Sequence, residues 1–233
     1  MKKLLPLLVL LLFAAGVQAQ EDSLSSFTLS LGQDSYFGFY VTGSGSYSLS
    51  KQASITFYTN YWANPAFGTA STGTDFWTEL GGGVSFSLCG QRLVVNPSLG
   101  FTYGKALSGG ERGVLGDGIV PSLTATLSRS RAEINAGIVW FKALRKEGPV
   151  TVDYVWAWFA PGRKINQRVT AGIHLEEFYL SRMTAERPKH LYQWVGPYLQ
   201  YNFPKGTFIK AAGGYDTINK SFIKLNISTS LTQ

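Results

Sequence analysis

Cysteine is nearly missing from this 233-residue chain: Cys89 stands alone, so no internal disulfide can form and a small disulfide-held secreted domain is excluded. Cys89 falls in a tight turn and reads as a free thiol with no partner implied. Histidine is almost as scarce, with only His174 and His190, which leaves little material for a metal site or a catalytic base. No cofactor and no metal are expected. Charge is thin as well, at 15% of residues. After residue 19 no apolar run approaches the ~20 residues of a membrane-spanning helix, so any crossing of a bilayer has to be made by strands.

The one sustained apolar run, Leu4 to Ala15, follows Lys2 and Lys3 and precedes Val17-Gln18-Ala19, a small-x-small cleavage site. At about 12 residues it is too short to anchor the chain. Residues 1–19 read as an export signal and 20–233 as a single mature domain. No cysteine follows the run, so lipid anchoring is not expected. Without Lys2 and Lys3 the formal charge falls from +7 to +5, spread along the chain with no basic block. This balance suits the phosphates of lipopolysaccharide, while solvation of turn residues explains it equally well. Nucleic acid is a poor partner for an exported chain.

What the sequence does contain is alternation. Ile223, Leu225, Ile227, Thr229 and Leu231 interleave with Lys224, Asn226, Ser228, Ser230 and Thr232. A period of two places one set on each face of a strand, and about ten tilted residues cross the hydrocarbon of a bilayer. Short polar connections fall at Lys51-Gln52, Cys89-Gly90-Gln91, Arg129-Ser130-Arg131, Pro161 to Lys164 and Pro204-Lys205-Gly206. They alternate with longer or glycine-rich ones at Asn64 to Asp75, Lys105 to Gly118, Arg145 to Pro149, Ser181 to His190 and Thr217 to Lys220. Strands are predicted at Leu24 to Leu31, Tyr36 to Ser50, Ser54 to Ala63, Phe76 to Leu88, Arg92 to Tyr103, Ile119 to Ser128, Ala132 to Ala143, Val150 to Ala160, Gln167 to Leu180, Leu191 to Phe203, Thr207 to Asp216 and Ser221 to Leu231. The pattern is that of an all-β protein, an antiparallel transmembrane β-barrel of about 12 strands in a bacterial outer membrane, with short periplasmic turns and longer external loops.

Tyr61, Trp62, Phe76, Trp77, Phe101, Tyr103, Trp140, Tyr154, Trp156, Tyr179, Trp194 and Tyr215 lie toward the loop-side ends of their strands and read as an interfacial aromatic girdle. Pro97 and Pro197 fit badly inside strands of a barrel without edges, and mark a bulge or a later strand start. With the apolar set facing lipid, Glu79, Glu133, Asp153, Arg168, His174, Glu176, Lys210, Asp216 and Lys224 point into the lumen. Such an interior either holds solutes or cross-links itself into a plug.

No enzyme is expected. His174 and Glu176 share a face, but it is the lumen face, away from any acyl substrate in the membrane. The segment Ser108 to Gly118 lacks the ending of a phosphate loop and reads as an external loop folded toward the barrel mouth.

The stretches SYFGFYVTGSGSYSLSKQASITFY, LSGGERGVLGDGIVPSL, ALRKEGPVTVDY and YQWVGPYLQY resemble those of an exported bacterial β-protein family of unknown function, of outer-membrane barrel type. The resemblance covers most of the mature chain and implies fold and location, with no catalytic or binding residue. The sequence therefore leads to a passive pore or small-solute channel, in which Arg168, Lys210 and Lys224 attract anions against Glu79, Glu133 and Asp153. The alternatives are a structural or surface-interaction barrel with a blocked lumen and, behind it, a lipid-modifying enzyme.

Overall fold

The computed structural model describes residues 25–62, 77–183 and 187–231. Its strands follow one another around a ring: β1 (Ser25–Asp34), β2 (Gly38–Ser48), β3 (Ala53–Trp62), β4 (Trp77–Leu88), β5 (Leu93–Gly104), β6 (Val114–Ser128), β7 (Ala132–Ala143), β8 (Val152–Lys164), β9 (Val169–Met183), β10 (Lys189–Asn202), β11 (Thr207–Asp216) and β12 (Lys220–Ser230). Each pairs antiparallel with its sequence neighbour, and β1 closes on β12 from Thr28↔Ser230 to Asp34↔Lys224. The predicted twelve-strand barrel is the observed architecture. Closure leaves no unpaired edge to attract another chain.

The alternation works as expected on the outside. In β12, Ile223 is 72% exposed and Leu225 and Ile227 also face outward, whereas Phe222 and Ser228 are buried inside. The same apolar coat continues around the ring through Leu31, Phe57, Leu80, Leu99, Leu123, Ile138, Phe159, Ile173, Leu199 and Tyr215. So large an apolar face is stable against lipid and not against water. Inside, large rings lie over glycines on the next strand. Tyr40 covers its partner Gly32, Tyr58 covers Gly81 and Trp158 covers Gly137, where any Cβ would collide with the ring.

The prolines keep register without bulging. Opposite Pro97 the β4–β5 ladder passes from Gly83↔Ser98 to Phe86↔Val95, and opposite Pro197 the β10–β11 ladder passes from Val195↔Tyr215 to Tyr198↔Ala212. On their other sides both remain paired, as Pro97↔Leu123 and Pro197↔Ile173. A missing N–H thus interrupts one ladder locally, and the pairing resumes unshifted. The expectation of a bulge or a later strand start is corrected accordingly.

The end of the barrel that holds β1's start and β12's finish, here the terminal end, has tight turns. Cys89 is exposed in one of them, in the left-handed region with Gly90 and Gln91. Strand β8 continues through Pro161 to Lys164, which moves the following turn to Ile165–Arg168. At the opposite, loop end the first and last connections, Ser35–Phe37 and Thr217–Asn219, are as short as the turns, so the length alternation is less strict than the sequence suggested. The predicted connection Asn64 to Asp75, with Phe76, lies outside the described residues, as do residues 184–186 of the Ser181 to His190 connection and the whole predicted signal.

Candidate functional site

The lumen is divided in two. At the loop end a layer of inward side chains meets across the barrel. Phe37, from the β1–β2 turn, stacks on Trp62 of β3 at 5.8 Å and reaches Phe178 of β9 at 5.2 Å and Trp156 of β8 at 6.0 Å. Trp62 also touches Trp77 of β4 and Phe141 of β7. From there the contacts run through Phe178 and Tyr192 to Trp194 and Phe222. Thr102, Leu107 and Val120 fill the β5–β6 sector with no exposed surface. Rings from distant strands at these separations gain edge-to-face and stacked contact as well as burial.

This overturns half of the expected girdle. Tyr61, Phe101, Tyr103, Trp140 and Tyr215 do face outward, but Trp62, Trp77, Tyr154 and Trp194 are buried at 4% exposure or less, and Trp156 packs against the same interior cluster. Each of these inward rings has the parity of its strand's inward set. Trp62, for example, is in phase with Tyr58 and Asn60, not with Phe57 and Tyr61. A phase count residue by residue separates the two groups where height along the strand does not.

The β5–β6 connection caps the layer. Buried Asp117 accepts hydrogen bonds from the backbone N–H groups of Leu107 (3.0 Å) and Ser108 (2.9 Å). The Ser108 carbonyl in turn accepts from the N–H groups of Glu147 and Gly148 in the β7–β8 connection. The expected infolding of this loop into the mouth is therefore present, and Asp117 holds it.

Beneath the rings lies a polar knot. Glu176 accepts from Lys224 Nζ (2.6 Å) and from the Tyr192 hydroxyl (2.7 Å), and shares a 2.9 Å hydrogen bond with His174 Nε2. The Lys224 ammonium also lies 5.3 Å from the Trp156 ring centre and 5.6 Å from that of Trp194. Asp34 receives the N–H groups of Tyr36 and Phe37 and so sets the turn that delivers Phe37. Glu79 accepts from the Tyr58 hydroxyl at 2.6 Å and the Asn60 amide at 3.4 Å.

Of the residues expected in the lumen, the structure brings His174, Glu176 and Lys224 together and places Glu79 in the wall nearby. Asp153 is buried at a bulge at the loop end, where the Arg182 guanidinium binds both of its oxygens, at 2.7 and 2.9 Å. Asp216 folds the last hairpin, accepting from Trp194 Nε1, Ile218 N and Asn219 Nδ2. Arg168 is not on an inward strand position: it ends an exposed turn near the Tyr201 hydroxyl. Lys210 faces inward with its ammonium 4.1 Å over the Tyr198 ring. The roles of Asp34, Asp117 and Phe37 are not legible in the sequence, since short-range sequence does not reveal which backbone amides a carboxylate will meet.

At the terminal end the interior opens near the turns, while Tyr198, Ala212 and Ser228 further in are buried. A vestibule of about 870 Å³ is lined by Glu133, Lys164, Thr170 and Asn202 on inward positions and by Arg131, Arg163, Asn166 and Gln167 toward the rim. Among the described residues, no group of three or more His, Cys, Asp or Glu side chains could hold a metal ion.

Among solved structures, the fold is similar to that of an outer membrane channel from Pseudomonas putida F1, with TM-score 0.54 and 9% identity over 92% of this chain and 100% of that one. It is also similar to OccK5 (OpdH) of Pseudomonas aeruginosa, with TM-score 0.50 and 12% identity over 92% of this chain and 69% of that one. These likenesses concern the fold, which is that of outer-membrane β-barrels. No curated protein matches the chain. The model of a family of unknown function (DUF6733) matches residues 1–231, and the chain belongs to that family.

Proposed function

We propose that the protein is an outer-membrane channel for small solutes, seen here with its external half closed. The observation that carries this reading is the unfilled vestibule of about 870 Å³ at the terminal end of the barrel. In an outer membrane the terminal end with its tight turns faces the periplasm. The shared fold with the Pseudomonas putida channel adds support of a general kind. Passage then requires the aromatic layer, in which Phe37 stands at the centre of the ring contacts, to part. Below the layer, a solute passes the Glu176–Lys224 pair and then the vestibule that Glu133 lines.

A second reading, a blocked barrel acting through its external surface, is favoured by the complete burial of Phe178 and Tyr192 and by the tethered β5–β6 loop. Planar-bilayer recordings of refolded, heat-modifiable protein separate the two. Discrete steps from the wild type support the channel. A wild type silent at every voltage, beside Phe37→Ala or Trp62→Ala proteins that conduct, leaves the blocked barrel.

A further inference from the structure

We infer that the periplasmic vestibule is a binding site for a small multivalent anion bearing phosphate or carboxylate groups. Folding gathers at this end cations that are scattered in sequence. Lys51, Arg92, Arg129, Arg131 and Lys205 lie in four of its five turns, and Arg163, Lys164 and Arg168 flank or end the fifth. Among the described residues the acidic side chain at this end is Glu133; the other carboxylates belong to the middle or loop end of the barrel. The result is an end-to-end charge asymmetry with a funnel of positive potential at the vestibule mouth, which concentrates anions.

The concavity turns that field into a site. Arg131 and Lys164 face each other across the start of β7 and the end of β8, where Lys164 N donates to the Arg131 carbonyl, and Arg163 adjoins them. None of the three has a carboxylate within ion-pair distance among the described residues. Lys164 Nζ is held by Ser128 Oγ at 2.7 Å, which fixes its position and leaves its charge uncompensated. The Arg131 guanidinium fork and the Lys164 ammonium at one cavity, with Arg163 beside them on the outward phase of β8, suit planar or tetrahedral oxyanions, which take paired N–H donors. Thr170 and Asn202 add neutral polar groups on the inner wall, and Glu133 excludes ligands that cannot keep their negative charge away from it. Beneath the aromatic layer the inward cation Lys224 is already matched to Glu176.

This inference takes its direction of travel from the channel reading, and binding is measured without conduction. The full refolded chain in zwitterionic detergent is titrated calorimetrically with inorganic diphosphate. One saturable site is expected, weakening markedly from 0.05 to 0.5 M salt (~14 to ~4 Å screening length). The double variant Arg131→Gln/Lys164→Gln should bind about tenfold more weakly or worse, as loss of charge-assisted hydrogen bonds demands. Lys51→Gln/Arg92→Gln removes the same charge from distant turns and should change affinity by about twofold or less. No saturable binding, or equal losses in the two double variants, overturns the site. Displacement of diphosphate by phosphatidylglycerol in mixed micelles also overturns it, in favour of a lipid headgroup. Binding by a protein that never conducts refutes the channel reading alone, and conduction without binding refutes this inference alone.

Discussion

Replacing Lys224 by methionine tests the knot beneath the aromatic layer. The variant leaves the Glu176 carboxylate, 1% exposed, with the Tyr192 hydroxyl and His174 but without its cation. At 2.6 Å and an effective dielectric of ~20, the lost attraction is about 6 kcal/mol. Part of this is offset because the variant no longer buries an ammonium, and the net cost of stranding one partner of a buried pair is ~3–5 kcal/mol. Glu176→Gln/Lys224→Met strands no charge, keeps a polar partner for Tyr192 and should cost less than ~2 kcal/mol. Urea unfolding in phospholipid vesicles, followed by tryptophan fluorescence, supplies both values and, with Glu176→Gln alone as the third variant, the coupling energy. The reasoning fails if Lys224→Met costs under ~1 kcal/mol, or if the double variant is no more stable than the single one.

Three further outcomes are expected. Asp117→Ala removes the acceptor of two buried N–H groups and should cost ~2–4 kcal/mol; amide exchange should quicken within residues 105–113, and unchanged protection there would refute the anchoring role. Gly109→Ala places a Cβ against the Val150 carbonyl at a φ of +71° and should destabilise by more than ~1 kcal/mol, read as a lower unfolding midpoint. Cys89, the sole and exposed thiol, sits at the terminal end. A bulky charged maleimide should label it only after the outer membrane is permeabilised, and labelling of intact cells would invert the orientation.

Much of the barrel was legible because its cause is local. Each strand declares itself through neighbours two residues apart, and turn chemistry at Lys51-Gln52 or Cys89-Gly90-Gln91 marks where it stops. Errors arose where the cause is distant. Strand β6 begins at Val114, ahead of the predicted Ile119, because Tyr103 pairs with Leu115 across a register shift in β5–β6. Trp62, Trp77 and Trp194 were assigned to the girdle by their height along the strand, and their phase, which points them inward, decides their role. The basic funnel was invisible in a chain whose cations form no block, since meander topology is what brings alternate turns to one end.

Period-two alternation and turn residues act within one hairpin and every hairpin repeats them, so an antiparallel meander of about twelve lipid-facing strands is legible in the sequence, while the structure closes it at twelve. The division of the inward face into an aromatic layer at the loop end and a basic vestibule at the terminal end comes only from tertiary structure. Whether a lumen is space or plug depends on side chains from strands as far apart as β1, β3, β7 and β9 meeting at one height, and on the turns whose charges then share one rim.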